Sequence, residues 1–185
     1  MSIDDWYMVG INMASLITLA KRGSYEDFVS EYKPSDAAFV DGGGRTLLFP
    51  SVANRDVEAR VAITTRLLDD GADPSAAPDN VNVLHVLFDQ RKHDPEREAP
   101  MLRRLIEAGA DVNLFSKRSG PPLAVLIEHG PSPESACIPF YDVIFDQPNL
   151  NLTYPYLRDL IFNSAWNVPI LRERVREYEL ARAES

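Results

Sequence analysis

Apolar residues along the chain fall in short runs that predict helices separated by polar turns. In "VLHVLF", residues 83–88, they cover most of the helix circumference, as in a helix packed on several sides. In "VPILRERVREYELARA", residues 168–183, they alternate with charges, which predicts an amphipathic helix that begins at Pro169 and keeps one face in water. The pattern therefore predicts an all-α protein.

A leading helix pair is predicted from "MASLITLAKRGSYEDFVSEY", residues 13–32. Gly23 marks the turn between the two helices. Ser24 suits the N-cap of the second helix, and the acidic residues that follow it place negative charge in the first turn. Residues 11–40 are thus predicted to form an N-terminal capping pair.

Two later runs end in nearly the same way. "LLDDGADP", residues 67–74, and "LIEAGADV", residues 105–112, both finish in Gly-Ala-Asp, 38 residues apart. Gly71 and Gly109 can take the positive φ that ends a helix without a steric cost. A weaker third copy lies in "VIFDQPNLNL", residues 143–152. Self-similarity at such a period is typical of stacked repeat proteins.

The repeated unit resembles the ankyrin repeat, which runs through a turn, a Thr-Pro-Leu-His-like helix start, a second helix and a Gly-Ala-Asp exit. Asn82 stands in the threonine place and Asn80 in the usual glycine place, which asparagine tolerates. In the family the histidine, here His85, ties adjacent loops by hydrogen bonds. The matching residues are Asp41, Gly44, Arg45, Thr46 and Leu48 at the turn, and Leu67, Leu68, Gly71, Ala72, Asp73, Leu105, Ile106, Gly109, Ala110, Asp111, Val112 and Asn113 at the two exits.

The resemblance implies an ankyrin-like helical solenoid of about four to five helix-pair units with degenerate capping pairs and no sheet beyond loop hairpins. The charged segment "DQRKHDPEREAP", residues 89–100, departs from the family pattern and predicts an exposed loop between paired helices. The single predicted domain, 1–185, divides into the capping pair 11–40, unit 1 at 41–78, unit 2 at 79–116, unit 3 at 117–152 and a C-terminal capping unit at 153–185.

Charge and composition limit the partners. The formal net charge of -9 repels nucleic-acid backbones and anionic membranes and would steer a basic protein toward the chain. Acidity that serves only solubility is the open alternative. No apolar run is long enough to span a bilayer, and Cys137, the single cysteine, permits no internal disulfide. We therefore expect a cytoplasmic protein that binds neither nucleic acid nor membrane.

No motif in the chain predicts catalysis. "GGGRT", residues 42–46, lacks the lysine and the preceding strand of a phosphate-binding loop. The three histidines and Cys137 do not have the spacing of a zinc site, and no neighbouring base marks Cys137 as a nucleophile. We expect no enzymatic activity, no cofactor and no bound metal.

What the sequence offers instead is a binding surface. In the family, loop tips and first helices form a concave face that binds other proteins. Aromatic residues at exposed tips either pack under their own loops or meet a partner. The predicted protein-binding residues are Phe39, Asp41, Arg45, Asp69, Asp70, Asp73, Asp79, Asn80, Phe115, Lys117, Arg118 and Tyr154.

The function expected from this resemblance is that of an immunity or inhibitor protein. Small acidic ankyrin-type proteins of this kind resemble the bacterial immunity proteins of polymorphic toxin systems, which bind and neutralise a cognate toxin domain, here one expected to be basic. The alternative is a generic ankyrin adaptor, or a pathogen effector that binds a host protein. Either the concave face or the 89–100 segment would make the contact, and the free chain is expected to be a monomer.

Overall fold

The computed structural model describes residues 3–183, with side chains from residue 13 onward. Over this range the protein contains ten α-helices and no strand, so the predicted all-α class is confirmed. None of the described helices has the length and apolar character needed to cross a membrane. The helices are α1 (Ile3–Arg22), α2 (Tyr25–Glu31), α3 (Leu48–Val52), α4 (Val57–Asp69), α5 (Val83–Phe88), α6 (Pro95–Glu107), α7 (Pro122–His129), α8 (Ile138–Phe145), α9 (Pro155–Phe162) and α10 (Pro169–Ala183).

The helices form two packed rows. In the first row α1, α3, α5, α7 and α9 contact one another in succession, and in the second row α2, α4, α6, α8 and α10 do the same. The apolar core lies between and within the rows. Each predicted unit contributes one helix to each row, although α1 begins at Ile3, upstream of the predicted 11–40 pair. The last two residues of the predicted 153–185 unit lie outside the described residues.

The turns follow the sequence closely. Ser24 caps α2, and its hydroxyl accepts the amide of Asp27. Two isolated bridges, Val40–Thr46 and Ser116–Gly120, are the β-type pairings of the described chain. They close the loops before α3 and α7, where the resemblance implied hairpins.

The two Gly-Ala-Asp exits have the same backbone geometry. Gly71 has φ 87° and Gly109 has φ 121°. At each exit the glycine amide donates to the carbonyl three residues earlier, and the amide of the following alanine donates to the carbonyl five residues earlier. These hydrogen bonds are 2.9–3.1 Å long. Asn80 also has positive φ, as expected, and so does Asp79, which the sequence did not predict.

The segment 89–100 is not the exposed loop that its charges predicted. Helix α6 begins at Pro95, and Asp94 caps it through the amide of Arg97. Glu98 is completely buried, and only residues 89–94 link α5 to α6. The prediction was wrong because an ion pair stabilises the buried carboxylate of Glu98.

The partner of Glu98 is Arg60 on α4, which is equally buried. Arg60 Nε donates to the carbonyl of Asn54 at 2.8 Å, and Nη1 donates to that of Lys92 at 3.0 Å. The arginine thus joins the α3–α4 turn and the α5–α6 link to α6. An ion pair that is shielded from water is stable only when further hydrogen bonds satisfy the polar atoms of both side chains. Most of these atoms are hydrogen-bonded here.

The other carboxylate oxygen of Glu98 accepts His93 Nδ1 at 3.1 Å and the amide of Asp94 at 2.8 Å. Burial by itself would raise the pKa of Glu98. The hydrogen bond from His93 and the positive charge of Arg60 outweigh burial and hold this pKa below its ordinary value. Glu98 is therefore ionised at neutral pH.

Replacing Gly109 with valine should destabilise the fold by roughly 1–3 kcal/mol, because a β-branched residue is strained at positive φ. The matched control is Gly42→Val, where φ is not positive and a Cβ would meet nothing within 4 Å. Urea unfolding of both variants measures the difference. Equal stability of the two variants would contradict this account of the exit.

Replacing Glu98 with alanine should destabilise the protein by about 3–5 kcal/mol, because Arg60 would keep a buried charge without a partner. Glu107→Ala, an exposed change on the same helix, is the control and should shift stability by less than about 0.5 kcal/mol.

The same pair makes stability depend on pH. A carboxylate whose pKa is lowered by folding stabilises the native state above its unfolded pKa, and this contribution is lost as pH falls through the folded pKa. The difference in the free energy of unfolding between wild type and Glu98→Gln should therefore be constant near neutral pH. It should become smaller below pH 4.5, the ordinary pKa of a glutamate. A gap that stays constant down to acid unfolding would rule out this linkage.

Candidate functional site

A cavity of about 620 Å³ lies along the first row of helices, which we refer to as the groove. Its walls come from α1, α3 and α5 and from the loops before α3, α5 and α7. This volume is within the usual range of binding clefts. The floor includes Ile17, Phe39, Phe49, Pro50, Val81 and Val86, and the rim includes Lys21, Asp41, Arg45, Asp79, Lys117 and Arg118.

The structure brings most of the predicted binding residues to this groove, though not all of them. Those that line it are Phe39, Asp41, Arg45, Asp79, Asn80, Lys117 and Arg118. Ile17 and Lys21 of α1 and Val86 of α5 also line the groove but were not predicted, because the predicted residues lie at loop tips and at a helix exit. The spacing of four between Ile17 and Lys21, which places both on one helix face, was an available signal.

The loop before α3 is held by Asp41. Its Oδ1 accepts the amides of Gly43 and Arg45 at 2.8 and 2.9 Å, and its own amide bonds the carbonyl of Arg45 at 2.9 Å. A carboxylate that bonds its own turn in this way fixes the local backbone. Gly44 completes the turn with φ 81°. Arg45 is thus presented to the groove from a rigid base.

The loop before α7 is held in two ways. Ser116 and Gly120 exchange two backbone hydrogen bonds, at 3.0 and 2.8 Å. Gly120 has φ 69°, and a Cβ there would lie 2.9 Å from the ring of Tyr156. Only glycine fits this position, so Lys117 and Arg118 lie at the tip of a closely packed loop.

His85 provides the second support for this loop. It is buried on α5, and its Nε2 must donate to the carbonyl of Gly120, 3.1 Å away, because a carbonyl can only accept. Burial lowers the pKa of His85, and the bond to Gly120 offsets this only in part. The role implied by the family resemblance, a histidine that ties adjacent loops, is confirmed.

Asn82 prepares α5 for this contact. Its Oδ1 accepts the amides of Leu84 and His85 as an N-cap, and its Nδ2 donates to the carbonyl of Asp111 at 2.7 Å. The substitution of asparagine for threonine at this place therefore keeps the cap and adds a bond to the exit turn after α6.

The groove carries positive charge in a negatively charged protein. Its rim has four cations and two carboxylates, a formal charge of +2, whereas the whole chain carries -9. None of the four cations makes an ion pair with any residue of the described part of the chain, where eight other arginines are paired with carboxylates. The rim of the groove is thus opposite in sign to the chain as a whole.

Two predicted acidic binding residues instead hold helices of the second row together. Arg104 of α6 donates to Asp69 at 2.7 Å. Asp70 accepts Arg66 Nε at 2.6 Å and the hydroxyl of Tyr32 at 3.0 Å. The hydrogen bond from Arg66 lowers the pKa of Asp70, while burial and the bond to Asp70 raise that of Tyr32.

The remaining three predicted residues also lie outside the groove. Asp73 accepts the amide of Ser75 at 2.8 Å, which closes the exit turn. Hydrogen bonding from the Ser75 side chain and from this amide lowers the pKa of Asp73. Phe115 packs against Tyr154 with the two rings tilted and their centroids 5.2 Å apart, and it remains 39% exposed. The aromatic tips thus pack locally, while the ring of Phe39 contributes to the groove.

The cysteine is a core residue. Burial raises the pKa of Cys137 to about 11, and its thiol donates to the carbonyl of Pro131 at 3.3 Å. Only the thiolate is a strong nucleophile, so this environment disfavours reaction. Among the described residues no group of three or more His, Cys, Asp or Glu side chains is placed to hold a metal ion.

No family model and no curated protein matches the chain. A solved structure that does match is the crystal structure of a functionally unknown protein from Leptotrichia buccalis C-1013-b. The two share 21% identity with a TM-score of 0.72, over 91% of this chain and 94% of that one. At this identity the likeness shows a shared fold alone.

Replacing His85 with alanine should loosen the loop before α7. Removing one partner of a buried hydrogen bond costs about 1–3 kcal/mol, so the amides of Ser116 and Gly120 should exchange with deuterium roughly 5- to 150-fold faster. His129→Ala, a change at an exposed histidine, is the control. Unchanged exchange at both amides would show that His85 does not support the loop.

Proposed function

We propose that the protein is a non-enzymatic protein-binding module of the ankyrin-repeat type that holds its partner in the groove. The observation that carries this proposal is the groove itself, with an apolar floor and a charged rim on two braced loops. On such a surface, burial of the apolar floor stabilises the complex, and the charges of the rim orient the partner.

Three features support the ankyrin assignment. The helices form two rows, the exits at Gly71 and Gly109 share one hydrogen-bonding pattern, and His85 bonds the next loop. These are the features that the resemblance in sequence implies.

The role that we favour is inhibition of a toxin domain. It rests on the similarity of this small acidic repeat protein to immunity proteins, which act by binding. The net charge of -9 would attract a basic domain over a distance, although the groove itself is positive. A domain that is basic overall can still present a local acidic segment to the groove.

The test compares two variants that add the same bulk at the C-caps of two helices. Ala53 follows α3 and lines the groove, and Ala108 follows α6 in the second row; neither has positive φ, so tryptophan strains the backbone at neither position. Ala53→Trp should fill part of the groove, whereas Ala108→Trp should not touch it.

Wild type and both variants would be used to capture proteins from a lysate of the organism that encodes the chain, with identification by mass spectrometry. We expect one protein to be captured by wild type and by Ala108→Trp and to lose at least about tenfold in affinity with Ala53→Trp. That protein should arrest growth when expressed alone, and co-expression of wild type should restore growth.

The outcomes separate the two levels of the proposal. A partner that depends on the groove but does not arrest growth would exclude the inhibitor role and favour the adaptor. Capture that Ala53→Trp leaves unchanged would exclude the groove as the binding site.

A further inference from the structure

The four rim cations indicate what the groove binds. Lys21 lies on α1, Arg45 in the loop before α3, and Lys117 and Arg118 in the loop before α7. The chain has 28 acidic and only 19 basic residues, yet within residues 13–183 these cations have no carboxylate partner. They are available to acidic groups of another molecule.

The cations of the loop before α3 and those of the loop before α7 are too far apart to share one small anion. Arg45 and Arg118 are two helices apart along the first row. Packed helices lie about 8–10 Å apart, so these loops are separated by roughly 16–20 Å. An extended peptide rises about 3.3 Å per residue, and about five or six residues would cover that distance.

The middle of the groove has a different character from its ends. Its floor there includes the partly buried side chains of Val81 and Val86, which favour an apolar side chain. Asp79, at the rim of the same region, disfavours a second carboxylate. A segment that fits would be acidic at both ends and apolar in the centre.

We propose that the groove binds an extended segment of the partner protein, about six residues long, with acidic residues at both ends and apolar residues between them. This inference rests on the proposed function, since it states what the partner presents to the groove. The loops that carry Arg45, Lys117 and Arg118 are already fixed by Asp41, His85 and Gly120, so little ordering is needed on binding.

A nucleic acid is the other polyanion that cations could hold. Evenly spaced phosphates fit poorly beside Asp79, and the net charge of -9 opposes them over longer distances. We therefore commit to the acidic peptide and include a single-stranded oligonucleotide in the test.

The test begins with a phage library of random dodecapeptides selected on the wild-type protein. Phages that still bind Ala53→Trp are removed, so that only binders of the groove remain. The enriched peptides should carry Asp or Glu in two clusters separated by apolar residues. One enriched peptide, synthesised with a fluorescent label, then serves as the probe in anisotropy titrations.

The first variant for these titrations is Arg45→Gln/Lys117→Gln/Arg118→Gln. All three side chains are exposed, so the melting temperature should stay that of wild type. The affinity for the labelled peptide should fall at least about tenfold at low ionic strength, and by less when salt screens the charges.

The matched control is Lys33→Gln/Arg55→Gln/Arg91→Gln, which removes the same charge from exposed cations outside the groove. Its affinity should change less than about twofold, because screening limits the effect of distant charges. An equal loss in both triple variants would reduce the effect to general charge and overturn the inference.

Other results would overturn it in distinguishable ways. Enrichment of basic or uncharged peptides would reject the acidic segment and leave the groove as a binding site. Failure to enrich any peptide that depends on the groove would overturn the inference, while the proposed function is judged separately by whether Ala53→Trp loses the captured protein. Binding of a labelled oligothymidylate that the groove variant loses would identify a nucleic-acid site instead.

Discussion

The short helices of the first row are stable only because they pack against neighbouring helices. Helices α3, α5, α7 and α9 have only five to eight residues. Helices shorter than about 12–15 residues are marginal in water, so packing rather than intrinsic propensity must stabilise them. Because each helix contacts the next in its row, the fold depends on the contacts between successive units more than on any unit alone.

Polar contacts between units add direction to this packing. Asn113 donates to the carbonyl of Asn149 at 2.9 Å and accepts the amide of Asn151 at 2.7 Å. Glu134 accepts the first amides of α10, at 2.8 and 3.0 Å, and so caps a helix of the following unit. Hydrogen bonds specify geometry where apolar contact does not, and they set the register from one pair of helices to the next.

The distribution of charge follows from where each carboxylate finds a partner. Several acidic residues of the second row are paired with arginines, as Asp69 is with Arg104 and Asp142 with Arg174. The rim of the groove lacks such partners. A protein can therefore be acidic overall and still present a positive surface at one site, which a net charge alone cannot reveal.

Local rules made the helices and their ends predictable. The capping serine, the exit glycines and the helix starts at Pro155 and Pro169 depend on backbone conformation, which a few neighbouring residues determine. The role of His85 was also accessible, through its place in the repeated unit. Seven of the twelve predicted binding residues, all at loop tips on the first-row side, line the groove, whereas Phe115 and Tyr154, at tips on the same side, do not.

Tertiary structure decided what depends on distant partners. The charges of residues 89–100 predicted a loop, because nothing nearby in sequence shows that Arg60 would bury Glu98. The partner of Asp69 was hidden for the same reason, because Arg104 comes from α6, whereas Asp70 pairs with Arg66 four residues earlier and also with Tyr32, just after α2. The sequence by itself thus determined helices, turns and the repeat, since these are local. Which charges are buried, paired or left facing the groove was determined only when residues some 35 to 40 positions apart came together.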